Sequence, residues 1–212
     1  MDELNDSRLS SNLDAWRPLG RVVRLQIQRS KLKLGDKPNR HYDPAPLLLV
    51  NELHLTPEGA LARLPDGSMV IDIHHPAHPD TRNLDRTNDL SVGFTGHYSA
   101  MRGQYGEHLI DGCAGENILI EVSEHLSLAD IAGGLAIQPA GGGEPVRLRV
   151  VRHAPPCVEF SGYASRSREP EVIKGTLQFL NDGLRGFYCA LGNSAPVTVN
   201  VGDQVLVGPA AQ

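Results

Sequence analysis

Residues 21–28, RVVRLQIQ, alternate between apolar and polar side chains. Val23, Leu25 and Ile27 fall on one face of an extended chain, and charged or amide side chains fall on the other. Because successive side chains of a strand point to opposite faces, this pattern predicts a strand that is buried on one side.

Similar short runs follow, separated by turns that Gly and Pro favour. Their order never becomes a regular alternation of strands and helices, which argues against a doubly wound parallel sheet. We therefore predict a mainly β fold, a single β-barrel with a few short peripheral helices, in residues 19–212 after a loose lead-in at residues 1–18. The further predicted strands are 47–55, 69–73, 117–122, 146–153, 187–191 and 196–208.

Three segments are predicted to be helical. Residues 96–109 carry apolar side chains at helical spacing, although glycines weaken the pattern. Residues 126–133 form a shorter candidate with Ser127 as a possible N-cap. Residues 170–183 are the best candidate, because Pro170 suits a first helical turn and a glycine ends the segment.

The overall composition indicates which partners the protein does not bind and in which compartment we expect it. The net charge is −5, so the basic footprint of a general nucleic-acid binder is missing. No stretch approaches the roughly 18 apolar residues of a membrane span, and the N-terminus lacks the apolar core of a signal peptide. The three cysteines, Cys113, Cys157 and Cys189, are an odd number without close pairing, which suits free thiols. These features predict a cytoplasmic protein that binds neither nucleic acid nor membrane.

Cys157 is the cysteine with the clearest chemical context. Pro155 and Pro156 hold the preceding backbone extended, so the thiol is presented on a stiff segment. Arg152 and His153 come shortly before it, and cationic neighbours favour the thiolate, which is both a nucleophile and a metal ligand. The alternative is a buried structural cysteine.

A histidine cluster occupies the polar loop between two predicted strands. His74, His75 and His78 are flanked by aspartates, a plausible set of metal ligands. The prolines among them exclude the helical spacing of many zinc motifs, so contact with an anion or cofactor, together with Arg82 and Arg86, is the favoured interpretation.

The turn GCAGEN, residues 112–117, contains two glycines that allow backbone N–H groups to approach an anion. It lacks the Lys-Ser/Thr pair of a phosphate-binding loop, so the sequence does not indicate a nucleotide site there. Glu116 and Asn117 either contact a ligand or satisfy buried backbone groups where the next strand begins.

Taken together, these motifs resemble the MOSC domain, the family found at the C-terminus of molybdenum-cofactor sulfurases and in amidoxime-reducing molybdoenzymes. The resemblance spans about residues 20–208, in the stand-alone bacterial form. It rests on the order and spacing of GENILIE (115–121), APPC (154–157), GFYCAL (186–191), VGDQVLVG (201–208) and the DIHHPAH loop (72–78).

The resemblance implies a β-barrel that handles a pterin-based molybdenum cofactor (molybdopterin), or sulfur destined for it, at Cys157. Cys157 would be the catalytic residue and metal ligand, and the cofactor-binding set would be Gly115, Glu116, Asn117, His74, His75, His78, Arg82 and Arg152. The pyridoxal-phosphate desulfurase domain of the larger sulfurases has no room in this chain. Sulfur or electrons would therefore come from a partner protein.

Three functions remain open from the sequence. The first is a molybdenum-dependent oxidoreductase that reduces N-hydroxylated small molecules, with Cys157 on the metal. The second is a sulfur transferase that carries a persulfide on Cys157. The third is a non-catalytic cofactor-binding module that uses the same pocket.

Overall fold

The computed structural model describes residues 13, 15–192 and 196–209, and it is mainly β with three short helices. The strands are β1 (Arg17–Gln28), β2 (Lys33–Leu34), β3 (His41–Tyr42), β4 (Leu47–Val50), β5 (Glu52–Thr56), β6 (Gly59–Arg63), β7 (Met69–Ile71), β8 (Leu90–Phe94), β9 (Ile118–Glu121), β10 (Leu135–Gln138), β11 (Val146–His153), β12 (Phe187–Leu191), β13 (Val197–Asn200) and β14 (Gln204–Val207). The helices are α1 (Thr95–Tyr105), α2 (Val158–Ser165) and α3 (Pro170–Phe179).

A closed barrel dominates the architecture. Its order is β1-β14-β10-β11-β12-β8-β9, and β9 returns to β1, so the sheet closes on itself and confirms the predicted barrel. All neighbours are antiparallel except β8 and β9, which run parallel. Closure leaves these strands without the unpaired edges that favour aggregation. Most of the predicted lead-in, residues 1–18, lies outside the described residues, and β1 already begins at Arg17.

β1 closes the barrel because it is long and bent. Its first part pairs with β14, its middle with β9 and its end with β4. A register shift between Val22 and Arg24 changes the simple alternation, so Val22 rather than Val23 joins Leu25 and Ile27 in the interior. A bulge of this kind inserts one residue on a strand and turns the following side chains to the other face.

Two predicted strands each divide into two. Residues 47–55 form β4 and β5, and residues 196–208 form β13 and β14. β13 leaves the barrel and joins a second sheet in the order β13-β5-β6-β7, while β2 and β3 form a separate hairpin. Of the predicted barrel strand 196–208, only β14 therefore belongs to the barrel.

The helices also differ in part from the prediction. Residues 126–133 form consecutive turns rather than a helix, because their backbone bonds join residues three apart, as from Asp130 N to Ser127 O. Ser127 bonds the Asp130 carboxylate instead of capping a helix. α3 starts at Pro170 as predicted but ends at Phe179, before the predicted stop. α2, directly after Cys157, was not predicted. No helix in the described part of the chain is long and apolar enough to cross a membrane.

Two apolar cores result from this arrangement. The larger fills the barrel with aliphatic side chains such as Leu25, Ile118 and Val205. The smaller lies outside it, where α1 and α2 pack with Tyr42 of the hairpin and Leu119 of β9. The candidate site opens beside this smaller core.

Candidate functional site

One pocket of about 560 Å³ brings together five of the nine site residues predicted from the sequence, namely His74, Arg82, Gly115, Glu116 and Cys157. Drug-sized ligands and cofactors occupy pockets of about 300–1,000 Å³. Four segments line it together with Arg185 and Tyr188: the β2–β3 hairpin, the loop 73–88, the turn 114–116 and the rim 154–157. Segments far apart in sequence thus converge because the strands that carry them are barrel neighbours.

Cys157 stands at the rim of this pocket. β11 ends at His153, and the two prolines carry the extended chain to Cys157, which is the N-cap residue of α2 with φ −131°. Its carbonyl accepts the first helical bond from Ser161 N at 2.9 Å. The residue is partly buried and packs against the smaller core. The thiol is therefore held by rigid elements on both sides and still faces the pocket.

Arg185, which the sequence analysis missed, is the cation that contacts this thiol. Its Nη1 lies 3.7 Å from Cys157 Sγ and also donates to Pro155 O at 3.2 Å. Nη2 donates to Ala114 O at 2.9 Å, and the guanidinium lies 4.5 Å from the centroid of the Phe160 ring. Arg185 thus links the cysteine rim to the glycine turn, while its buried Nε has no partner among the described residues.

The other two thiols lie in apolar surroundings. Cys189 is fully buried in the barrel, and Cys113 is 2% exposed in the smaller core. Burial raises the pKa of each to about 12, with the nearby Glu116 carboxyl contributing at Cys113. Both stay protonated at neutral pH, so neither is a nucleophile there.

Side chains of β1 and β3 hold the glycine turn in place by hydrogen bonds to its carbonyls. The Gln26 side chain donates from Nε2 to the carbonyls of Gly112 (2.8 Å) and Glu116 (2.7 Å). The Tyr42 hydroxyl donates to Cys113 O at 2.8 Å. Gly115 adopts φ +99°, a backbone conformation that side chains with a Cβ rarely adopt, so the turn favours glycine at this point.

Glu116 forms part of the pocket wall as a buried carboxyl. It is 4% exposed, and its Oε2 has no hydrogen-bond partner among the described residues. Burial raises the pKa of this carboxyl, against a hydrogen bond from Tyr98 and the charges of Arg185 and Arg24. The group can therefore hold a proton at a pH where an exposed glutamate has lost it.

Asn117 faces the interior rather than the pocket and joins three segments. Its Oδ1 accepts from the backbone and hydroxyl of Ser91 at 3.0 and 3.1 Å. Its Nδ2 donates to Asp72 Oδ2 at 2.8 Å and to Gln26 O at 3.3 Å. The amide at the strand entrance thus fixes the carboxylate that begins the histidine loop.

Asp72 in turn orients His74. The carboxylate is fully buried, and its Oδ1 lies 2.6 Å from Nδ1 of His74. Burial works to raise the pKa of Asp72, but the bonds and charge of His74 and the backbone of Gln28 outweigh it, so the pKa is lowered. His74 lines the pocket with its ring 6.4 Å from that of Tyr188.

The remaining predicted site residues differ in whether they line the pocket. Arg82 lines the pocket, as His74 does. His75 and His78 do not, since their Nδ1 atoms accept backbone N–H groups of the loop at 3.1 Å. Arg152 is exposed and donates to Asn88 at 2.9 Å, outside the lining. Among the described residues, no three His, Cys, Asp or Glu side chains converge as a metal site, so the histidine cluster does not form one.

Further basic side chains give the outer half of the pocket its charge. Lys31 pairs with Asp80 at 2.5 Å, and Arg40 Nε donates to Glu159 at 2.6 Å, with Lys33 3.8 Å from the same carboxylate. Burial tends to raise the pKa of Glu159, but its backbone bond, Arg40 and Lys33 outweigh it and lower the pKa. These pairs fix the positions of Lys31, Lys33 and Arg40 in the pocket lining.

The comparisons with known proteins show similarity in fold only. No family model and no curated protein sequence matches the chain. The YUAD protein from Bacillus subtilis superposes with a TM-score of 0.57 at 14% identity, over 93% of this chain and 100% of that one. A structure described as a hypothetical protein gives 0.53 at 14% identity, over 90% and 69%. YiiM from Geobacillus stearothermophilus gives 0.52 at 12% identity, over 89% and 75%. At these identities the likeness shows a shared fold.

Proposed function

We propose that the chain is a MOSC-type protein whose pocket binds the molybdenum cofactor, with Cys157 as the ligand of the metal. The observation that carries this proposal is the position of the Cys157 thiol beside the Arg185 guanidinium in one pocket. A thiolate is a soft ligand, and an arginine fork suits the phosphate of such a cofactor.

The residues present fit this group. The buried Nε of Arg185 has no partner among the described residues, so the guanidinium retains a donor. Five basic side chains line the pocket against three acidic ones, and one of these, Glu116, has a raised pKa. A Cβ at Gly115 would press on the Leu32 methyl and the Tyr42 hydroxyl, which both line the pocket, so glycine keeps this wall in its present shape.

The chain's own residues have distinct roles in this proposal. Cys157 offers the thiolate, and Arg185 stabilises its negative charge and fixes the rim to the turn. The excess of basic over acidic side chains in the lining attracts an anionic ligand. When bound, the cofactor would supply the two-electron chemistry that reduces an N-hydroxylated small molecule, with electrons from a partner protein. The reducing cytoplasm would keep Cys157 a free thiol.

A sulfur carrier is the second candidate, favoured by the partly exposed position of Cys157 at the start of α2. In this function the thiolate attacks the outer sulfur of a donor persulfide. The donor S–S bond breaks, the donor leaves as a thiolate, and a new S–S bond forms on Cys157, so no external oxidant is needed. A non-catalytic cofactor-binding module is the remaining alternative.

The test is to purify the protein from a bacterial host that makes the molybdenum cofactor and from a strain that cannot. We expect molybdenum by elemental analysis only from the first host, and its loss in Cys157→Ser but not in the matched control Cys113→Ala. Mass spectrometry of the intact protein would detect a persulfide as the added mass of sulfur. Wild-type protein that carries neither molybdenum nor a persulfide would contradict the proposal. Cys157→Ser protein with the molybdenum content of the wild type would also contradict it.

A further inference from the structure

The proton of the Asp72–His74 pair has a position fixed by geometry. Nδ1 of His74 and Oδ1 of Asp72 are 2.6 Å apart. A carboxylate whose pKa is lowered is ionised at neutral pH and only accepts hydrogen bonds. His74 must therefore donate from Nδ1, which leaves Nε2 of the neutral ring as an acceptor.

Asp72 is itself held by several donors. Its Oδ2 accepts from Gln28 N and from Asn117 Nδ2, each at 2.8 Å, and its Oδ1 also accepts from His74 N at 3.0 Å. On the other side, Asn83 Nδ2 donates to His74 O at 3.2 Å. The pair is preorganised before any ligand enters, which is the condition for efficient proton transfer by a side chain.

His74 differs from its two neighbours in what its ring faces. The side chain is 22% exposed and lines the pocket that contains Cys157. No residue in the described part of the chain forms a hydrogen bond with its Nε2. His78 uses both ring nitrogens on the backbone, bonding Asp80 N and Arg29 O.

We propose that His74 is a catalytic acid–base residue of this pocket and that Asp72 is its positioning residue. The inference rests on the proposed reductive function. An acid–base residue suits a substrate that takes up or loses a proton while it reacts. The reduction of N-hydroxylated compounds involves such a proton transfer, whereas the transfer of a sulfane sulfur does not require one.

In the reduction of an N-hydroxylated amine, the N–O bond breaks and its electron pair leaves with the oxygen. Two electrons from the reduced redox partner restore the valence of nitrogen. His74, protonated from solvent at Nε2, gives that proton to the leaving oxygen, which departs as water, and a second proton from solvent reaches nitrogen. Asp72 compensates the positive charge of the imidazolium, as carboxylates do in other carboxylate–histidine pairs.

His74→Gln tests the catalytic role against the matched control His75→Gln, the adjacent histidine outside the lining. Molybdenum-loaded protein would be assayed with an aromatic amidoxime and chemically reduced methyl viologen. We expect kcat of His74→Gln to fall by about 10²–10⁴-fold, the usual contribution of a general acid or base. Molybdenum content should match the wild type, KM should change by less than about threefold, and His75→Gln should keep the wild-type kcat.

Nitrogen NMR of histidine-labelled protein without cofactor gives a readout independent of turnover. The wild-type spectrum should show His74 protonated at Nδ1, and Asp72→Asn should convert it to a mixture of tautomers and lower kcat. Wild-type kcat in His74→Gln, or His74 protonated at Nε2 alone, would overturn this inference while leaving cofactor binding intact. Wild-type protein that never takes up molybdenum overturns the proposed function and the catalytic role together.

Discussion

The guanidinium of Arg185 lies 3.7 Å from the sulfur of Cys157, although 28 residues separate them in the chain. Hydrogen bonds to Pro155 O and Ala114 O hold the guanidinium in place. A fixed cation beside a sulfur stabilises negative charge as it develops there. The reactivity of this thiol should therefore depend on Arg185 and not on the cations nearest in sequence.

Arg185→Gln should slow the alkylation of Cys157 by iodoacetamide at neutral pH. A hydrogen bond to a charged group contributes about 1.5–3 kcal/mol, and this contact is long, so we expect a decrease of about five- to tenfold. The rate would be measured on native protein by mass spectrometry of the Cys157 peptide at several times.

Arg152→Gln is the matched control, because Arg152 was the sequence-based candidate but is exposed and bonded to Asn88. Its alkylation rate should equal that of the wild type. If Arg152→Gln slows the reaction and Arg185→Gln does not, the sequence-based assignment is right and the structural one is wrong.

Native protein should be alkylated at Cys157 in strong preference to Cys113 and Cys189. Burial raises the pKa of both other thiols to about 12, so at pH 8 almost none of either is thiolate. In denaturant all three should react at similar rates, which provides the control. Fast labelling of Cys113 in folded protein at pH 8 would contradict the packing described for the smaller core.

Much of the fold follows from sequence because its signals are local. The strand at 146–153 and the helix start at Pro170 were predicted within a residue, since side-chain alternation and proline geometry act over short distances. Residues 126–133 were predicted as a helix but form turns. Residue types that favour a helix do not by themselves ensure the hydrogen bonds between residues four apart that a helix requires. The bulge after Val22 was missed because pairing with β9 determines it.

The site was less predictable because long-range contacts build it. Cys157, His74 and Glu116 were identified from their chemistry, and the structure brings them into one pocket. Arg185 was missed because nothing near it in sequence shows which thiol it approaches. Gln26 was assigned to the solvent side of its strand, yet it is 1% exposed and anchors the glycine turn.

Acid should weaken the fold through His97. This ring is 1% exposed, accepts from Leu126 N at 3.1 Å, and has a pKa lowered to about 4 by burial and by the nearby His125. A base with a depressed folded pKa contributes stability above its unfolded pKa and loses it as pH falls through the folded one. The free energy of unfolding should thus fall by up to about 3 kcal/mol between about pH 6.5 and 4.

Urea unfolding at several pH values measures this effect. His97→Gln removes the titrating ring and should flatten the dependence in that window, whereas the control His125→Gln should keep most of it. An equally steep loss in His97→Gln would assign the acid sensitivity to other groups.

Glu116→Gln should stabilise the fold, and more so as the pH rises. The folded pKa of this buried carboxyl is raised, so its contribution to stability is complete below the unfolded pKa and is lost as pH rises through the folded one. A neutral amide of the same shape avoids that loss. The free energy of unfolding of Glu116→Gln minus that of wild type should increase between pH 4 and 7, and the exposed control Glu58→Gln should show no such trend.

Asn117→Ala should cost more stability than its small size suggests. The amide satisfies Asp72 Oδ2 and the Ser91 backbone in a fully buried position, so its loss leaves buried polar groups without partners at about 1–3 kcal/mol each. We expect a total decrease of about 2–5 kcal/mol in urea unfolding. Asn51→Ala, at an exposed site, is the control and should change stability by less than about 0.5 kcal/mol. Because Asn117 holds Asp72, and Asp72 holds His74, the variant should also disturb the His74 tautomer in nitrogen NMR. A stable Asn117→Ala protein with an unchanged His74 spectrum would show that the amide at the strand entrance does not control the histidine in the pocket.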